Sequence, residues 1–147
     1  MKNIWKVNYQ DSIMLQVGVK ILLRNKQGKY LLLRRNPKKY PEVGAEWDIV
    51  GGRINPGTSL IENLKREIKE ETGLEYRGKP TLISAQDIIR AGEKHVVRLT
   101  YLGEIEGEPK VDEEHLEAKW FSGKEVKKLK KLDKYFIGLL KKRIVKL

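Results

Sequence analysis

The stretch GRINPGTSLIENLKREIKEETGL, Gly52 to Leu74, follows a glycine turn with one short helix that carries Glu67, Glu70 and Glu71. Residues three and four apart share a helix face, so Glu67 meets both Glu70 and Glu71. Carboxylates that close repel one another unless a cation sits among them, and hard oxygen donors are what Mg²⁺ or Mn²⁺ prefers. The competing reading is an ordinary solvated charged face. The helical period weighs the two. Leu60, Ile61, Leu64 and Ile68 form one apolar stripe, and Glu62, Lys65, Arg66 and Lys69 take the opposite side, with Glu62 and Arg66 four apart. Glu67 and Glu71 fall against the apolar edge, where desolvation disfavours ionised carboxylates and where a site needing poised carboxylates would place them.

The flanks support a strand, a loop and a helix in that order. The run Trp47 to Val50 reads as a strand that ends at Gly51-Gly52, a pair suited to close backbone approach or positive φ. Pro56-Gly57 marks a further turn. Ser59 with Glu62 three residues later is a capping-box pattern, and Gly73 is a helix stop.

With these flanks the stretch resembles the signature of the Nudix hydrolases, G-x5-E-x7-R-E-U-x-E-E-x-G-U, where U is a bulky aliphatic. Gly52, Arg66-Glu67, Ile68, Glu70-Glu71 and Gly73-Leu74 stand at the specified spacings, and Thr58 occupies the place of the first signature glutamate. The resemblance implies an α/β fold, an α/β/α sandwich with a mixed β-sheet between helices, in a single domain over residues 1–147. It also implies hydrolysis of a nucleoside diphosphate linked to another group, with Mg²⁺ or Mn²⁺ as cofactor. Carried over by position, Glu70 and Glu71 are metal ligands, and Glu67 is a ligand or the base that orients water. The Gly51 carbonyl is a backbone ligand, and Arg66 braces the carboxylates. Thr58 can neither charge a metal nor pair ionically with Arg66. Either the helical glutamates suffice and activity is retained, or the site has turned to binding without turnover. Glu62 is an alternative partner for Arg66, although it points away from the cluster.

Outside the signature, Arg34 and Arg35 end a strand near where the resemblance places an arginine on substrate phosphates, a role that suits guanidinium. Glu113 and Glu114, in the loop before Trp120, are candidates for an added ligand or the water-activating base. Trp47 and Tyr40 are candidates for stacking a nucleobase, with a core role for Trp47 as the alternative. His95 and His115 show no partner at ligand spacing and read as structural or solvated, and Trp5, Trp120 and Phe121 read as core.

Composition fits one domain. The chain has 147 residues, enough for a single core, and no cysteine, which excludes disulfides and thiolate metal sites. The opening MKNIWKVNYQ lacks the apolar core of a signal peptide and no run is long enough to span a membrane, so cytoplasm is the default. The net charge of +11 is concentrated at the end of the chain, where residues 123–147 hold ten Lys or Arg against Glu125 and Asp133, a net of +8. Val126, Leu129, Leu132, Phe136, Leu140 and Ile144 recur there at helical spacing, which predicts one or two amphipathic helices with a basic solvated face. RNA binding or steering of a phosphorylated substrate is the less favoured use of that face.

Val17, Val19, Ile21 and Leu23 alternate as a half-buried strand, and Tyr30 to Leu33, Leu82 to Ile89 and His95 to Ile105 read as further strands. Ala91 to Lys94 reads as a hairpin turn, residues 36–46 and 106–117 as loops, and Trp120-Phe121 as a short last strand before the basic helices. The favoured expectation is a pyrophosphohydrolase of a nucleoside triphosphate or modified nucleotide. The alternative is a non-catalytic nucleotide or RNA binding module on the same fold.

Overall fold

Alternating apolar residues make Met14–Arg24 (β1) the centre of the sheet. The computed structural model describes residues 13–41, 44–90 and 93–147, and in it β1 runs parallel to Lys94–Glu104 (β6) along its whole length, from Met14 opposite Lys94 to Arg24 opposite Glu104. The other side of β1 is divided. Gly18 to Ile21 pair antiparallel with Val50–Arg53 (β4), and Arg24 pairs with Tyr30 at the start of Tyr30–Arg35 (β2). Trp47–Asp48 (β3) and His115–Phe121 (β7) flank β2, and Thr81–Arg90 (β5) lies beyond β6. One parallel pair in an otherwise antiparallel sheet makes it mixed.

Period-2 side-chain direction sends neighbouring residues to different cores. Val19, Ile21 and Leu23 of β1 and Leu31 and Leu33 of β2 meet Leu64 and Ile68 of the helix Leu60–Thr72 (α1). Leu22 and Leu32 point the other way. They meet Val126 of Gly123–Lys128 (α2) and Phe136 and Leu139 of Lys134–Lys141 (α3). The sheet is therefore covered on both faces, an α/β/α sandwich, and β1 is buried on both sides beyond Lys20 rather than half-buried. That is why its sequence reads ILL without a polar interruption.

Helix α1 begins at Ser59, whose hydroxyl accepts from the Glu62 amide, and ends at Gly73 in the left-handed region at φ 73°. Helix α2 has a complete capping box between Ser122 and Glu125, and Asp133 caps α3 by accepting from the Tyr135 and Phe136 amides. The basic side chains of residues 123–147 lie on the exposed side.

Three sequence expectations change. The last strand is seven residues rather than Trp120-Phe121, and it takes His115, Leu116 and Glu117 out of the expected loop. Leu116, Ala118 and Trp120 alternate with the exposed Glu117 and Lys119, which extends the strand back from Trp120-Phe121. The run Trp47 to Val50 is two short strands separated at Ile49. In the tail, Leu139 and Val145 are buried whereas Ile144 is exposed, because Arg143 adopts a left-handed conformation at φ 57° and ends the helical phase. Ala91 and Gly92 of the expected hairpin turn, and Trp5, lie outside the described residues. Among the described residues no helix is long and apolar enough to cross a membrane.

Candidate metal centre

The glycine turn is shaped by the helix carboxylates it faces. The Gly51 amide donates to Glu71 Oε1 at 2.7 Å. Gly51 has φ 145°, and a side chain there would bring its Cβ to 2.0 Å from the Val19 carbonyl. At Gly52 a Cβ would meet the Glu67 carboxylate at 2.7 Å. Both positions require glycine, the first for conformation and contact, the second to leave room for Glu67.

The three glutamates meet different surroundings. Glu71 is buried, and burial pushes its carboxyl up to about 8. Lys20 and the Gly51 amide pull it back, whereas Glu67 and Asp112 add to the rise. Glu67 is also raised by burial, against the pull of Arg66. The Glu70 side chain is 57% exposed. Arg66 joins the two outer carboxylates, reaching Glu67 Oε1 at 2.8 Å and Glu70 Oε2 at 3.3 Å. Glu67 and Glu71, drawn out of water beside a backbone turn, with Glu70 tied to Glu67 through Arg66, offer oxygen donors of the kind that fits a hard divalent cation.

Asn63 replaces what Thr58 lacks. Thr58 is exposed, and Arg66 takes its remaining bonds from the Arg53 carbonyl at 3.0 Å and Asn63 Oδ1 at 2.9 Å. Asn63 is fully buried and has all its polar atoms engaged. Its Oδ1 also accepts from the Asn55 amide, and its Nδ2 donates to the carbonyls of Thr58 and Ser59. Arg66 therefore leaves the solvent side on which the helical wheel placed it, and it makes no bond to Glu62. Replacing Asn63 by alanine removes four bonds, the acceptor that holds Arg66 among them, and leaves a gap in the core, so we expect a loss of about 2–3 kcal/mol in urea unfolding and weaker metal binding. An unchanged unfolding midpoint would show that Asn63 does not hold the loop.

Residues from the far end of the sheet complete the centre. His115 Nδ1 lies 2.7 Å from Asp112 Oδ1, and its Nε2 lies 3.6 Å from Glu71 Oε2. Glu71, Asp112 and His115 can bring one donor atom each within 4.8 Å of one another. This corrects the view of His115 as a residue without a partner. The pairing arises only because β7 lies against β2 and carries His115 back to the end of α1. Glu114 accepts from the Tyr40 hydroxyl at 2.9 Å, and burial together with that bond raises the Tyr40 phenol. Glu113 is exposed.

Behind the turn is a buried charge network that sequence reasoning missed. Asp48 contacts Lys20 at 3.0 Å, Arg35 at 2.6 Å and Arg98 at 3.3 Å, and Asp133 contacts Arg98 at 2.9 Å and Arg35 at 3.5 Å. Lys20 also donates to the Ile49 carbonyl at 3.1 Å and the Gly51 carbonyl at 3.4 Å. The available signal was a lysine inside VGVKILL and an aspartate inside WDIV, since a charge in an apolar strand must find a partner. Arg35 is thus held by Asp48 and Asp133, whereas Arg34 is 39% exposed and reaches Glu46 at 3.3 Å and Glu117 at 3.5 Å. Trp47 does not face the carboxylates. Its ring meets Phe121 edge-on at 5.0 Å within the core under α2 and α3, and the base-stacking assignment is corrected accordingly. A cavity of about 510 Å³ between Leu22, Tyr76 and Val145 shares none of these residues.

The chain matches the NUDIX domain over residues 14–140. It belongs to the Nudix hydrolase family. Among solved Nudix structures it is similar to the MutT protein of Methanosarcina mazei Go1, with 30% identity and a TM-score of 0.75 over 88% of this chain and 93% of that one. It is also similar to a MutT Nudix hydrolase from Burkholderia pseudomallei, with 29% identity and a TM-score of 0.73 over 87% and 97%. A 102-residue match at 30% identity to the human 8-oxo-dGDP phosphatase NUDT18 covers 66% of this chain and 29% of that relative, so the chain spans under a third of its length. The Nudix signature thus falls on the turn and helix that hold Glu67, Glu70 and Glu71.

Proposed function

We propose that this Nudix chain is a divalent-metal-dependent pyrophosphohydrolase acting on nucleoside diphosphate derivatives, with a nucleoside triphosphate or modified nucleotide as the favoured substrate. The observation that carries the proposal is the placement of Glu67 and Glu71 against the Gly51-Gly52 turn, with Arg66 bracing Glu67 and the more exposed Glu70. The 8-oxo-dGDP activity in the name of the human relative supports a nucleotide substrate in general.

Glu67, Glu70, Glu71 and the Gly51 carbonyl would hold Mg²⁺ or Mn²⁺, which neutralises phosphate charge and acidifies a bound water. Glu67, whose carboxyl burial raises, is suited to accept the proton of the attacking water. Arg66 acts by position, since it fixes Glu67 and Glu70 without reaching outward. Arg34 is exposed enough to turn toward substrate phosphates, and Glu114, bonded to Tyr40, or its exposed neighbour Glu113 would supply an added ligand or the water-activating base. The bracing of Arg66 by Asn63 favours retained catalysis over binding without turnover, because the arginine keeps its geometry without a glutamate at position 58.

The test is product release from a nucleotide panel with Mg²⁺ or Mn²⁺, comparing the unaltered protein with Glu70→Gln and Glu71→Gln. We expect both variants to lose at least about a hundredfold in kcat, the scale of removing transition-state charge stabilisation. Undiminished turnover in both would sink the metal assignment. Nucleotide binding with no turnover on any substrate would establish a binding module instead.

A further inference from the structure

We propose that the cavity at the Arg24 end of β1 is a second ligand site, which takes a small amphipathic acid, an apolar body carrying one carboxylate or sulfonate. The cavity lies where β1 and β6 end and β2 and β5 begin, with Arg24 opposite both Glu104 and Tyr30 and with Thr81 opposite Leu102. It shares no residue with the proposed metal centre, so it does not depend on the pyrophosphohydrolase reading.

The cavity contains a buried polar anchor. Tyr76 is 4% exposed, and its hydroxyl finds no partner among the described residues. Two glycines of the cavity wall make room for it. A Cβ on Gly103 would stand 2.5 Å from that oxygen, and one on Gly78 would stand 2.9 Å from it. A buried hydroxyl without a partner destabilises a fold, so one kept beside an open cavity is suited to a ligand that completes its bond. A phenol holds its proton at neutral pH, and burial raises this one further. What Tyr76 offers is therefore a hydrogen, and its complement is an oxygen acceptor.

The rest of the wall sets the two halves of the ligand. Leu22, Leu102, Ile144 and Val145 supply apolar surface, and Leu102 and Ile144 remain 37% and 39% exposed at its edge. The left-handed Arg143 turns the chain after α3, and the Leu139 carbonyl accepts from the amides of Ile144 and Val145, which fixes this side in place. Around the rim Arg24, Lys79 and Lys146 are all exposed, against the single carboxylate of Glu104. Three positive charges to one negative favour an anionic head. The volume of about 510 Å³ lies within the ~300–1,000 Å³ of small-molecule sites. A wholly apolar ligand would leave the Tyr76 hydroxyl unpaired, and a bare inorganic anion would leave the leucine and isoleucine surface wet. Both halves are required.

Fluorescence titration of the full chain with anilinonaphthalene sulfonate, paired with amide NMR shifts, tests the proposal. We expect the probe to bind the folded protein and to shift the amides of Gly78, Gly103 and Val145 while leaving Gly51 and Gly52 unmoved. Ile144→Glu, and separately the double charge reversal Lys79→Glu with Lys146→Glu, should each weaken binding at least about tenfold. Tyr76→Phe should weaken it about tenfold as well, the scale of one hydrogen bond to a charged group, while its melting temperature stays level or rises because a partnerless hydroxyl is gone. Octanoate should displace the probe, and inorganic phosphate at equal ionic strength should not. Absent binding, shifts centred on Gly51 and Gly52, affinity unchanged in Tyr76→Phe and Ile144→Glu, displacement by phosphate, or a lower melting temperature for Tyr76→Phe overturns the proposal. Failed hydrolysis with these binding results intact would count against the pyrophosphohydrolase alone.

Discussion

Replacing Asp48 by asparagine lowers the stability of the fold by about 3–5 kcal/mol, the scale of breaking a buried ion network from one side, and the melting temperature falls by roughly 10 °C. The shape of the side chain is almost unchanged, so the loss reports charge. Asp48 faces Lys20, Arg35 and Arg98, and only Asp133 would remain to balance the two arginines. Arg98 is 4% exposed and cannot turn to water. The same network ties β1, β2, β3 and β6 to the start of α3, so its failure loosens the sheet beneath the Gly51 turn. Burial acts to raise the Asp48 carboxyl, but Lys20, Arg98 and Arg35 outweigh it and hold the group below the usual carboxylate range. Its contribution is therefore fully present above the unfolded value of ~4 and is lost as pH falls toward the folded one. Urea unfolding at pH 7 measures the effect. A change below about 1 kcal/mol would show that the cluster is not what holds these strands together.

The metal-free protein loses stability as pH rises from about 5 to 9, and Glu71→Gln removes most of that loss. In the unfolded chain a glutamate ionises near ~4.3, whereas in the fold Glu71 keeps its proton up to about 8. Between those values the unfolded state has released a proton that the folded state retains, so stability declines through the window and levels off above it. At ~1.4 kcal/mol per unit, the full difference is bounded by ~5 kcal/mol. Glu67 is raised as well and adds to the same trend. Glutamine has no such ionisation, so the variant expected to lose turnover is also expected to be the more stable one at alkaline pH, a cost of keeping a poised carboxylate in the interior. Saturating Mn²⁺ should restore the unaltered protein and leave Glu71→Gln nearly unmoved. Thermal melts across pH, with and without the ion, decide it. A flat profile for the unaltered protein would refute the account.

Much of this site was legible in the chain because its signals are local. Ser59, Gly73 and the apolar stripe of α1 act within one or two turns, and the placement of Glu67 and Glu71 at the stripe's edge follows from helical period alone. Strand β1 announces itself by apolar alternation at Val17, Val19, Ile21 and Leu23, and β2 by the apolar run Tyr30 to Leu33. Strand β7 also alternates, with Leu116, Ala118 and Trp120 against Glu117 and Lys119, but it is short and directly follows the acidic run Asp112 to Glu114, which reads as loop and hides His115. Asn63 was passed over because an asparagine within a helix carries no periodic signal, although it satisfies the turn that Thr58 leaves open.

By itself the sequence determined which carboxylates between Gly52 and Leu74 share a helix face and lie at the edge of its apolar stripe, because spacing on one helix is a property of the backbone. Only the tertiary structure decided what those residues face. Lys20, Asp48, Arg98 and Asp133 are scattered along the chain, and Asp112 and His115 lie 40 and 43 residues beyond Thr72 at the end of the signature helix. Their meeting depends on strand pairing between distant segments, and burial then sets their charge, since desolvation is decided by everything that packs around a group and not by its neighbours in the chain.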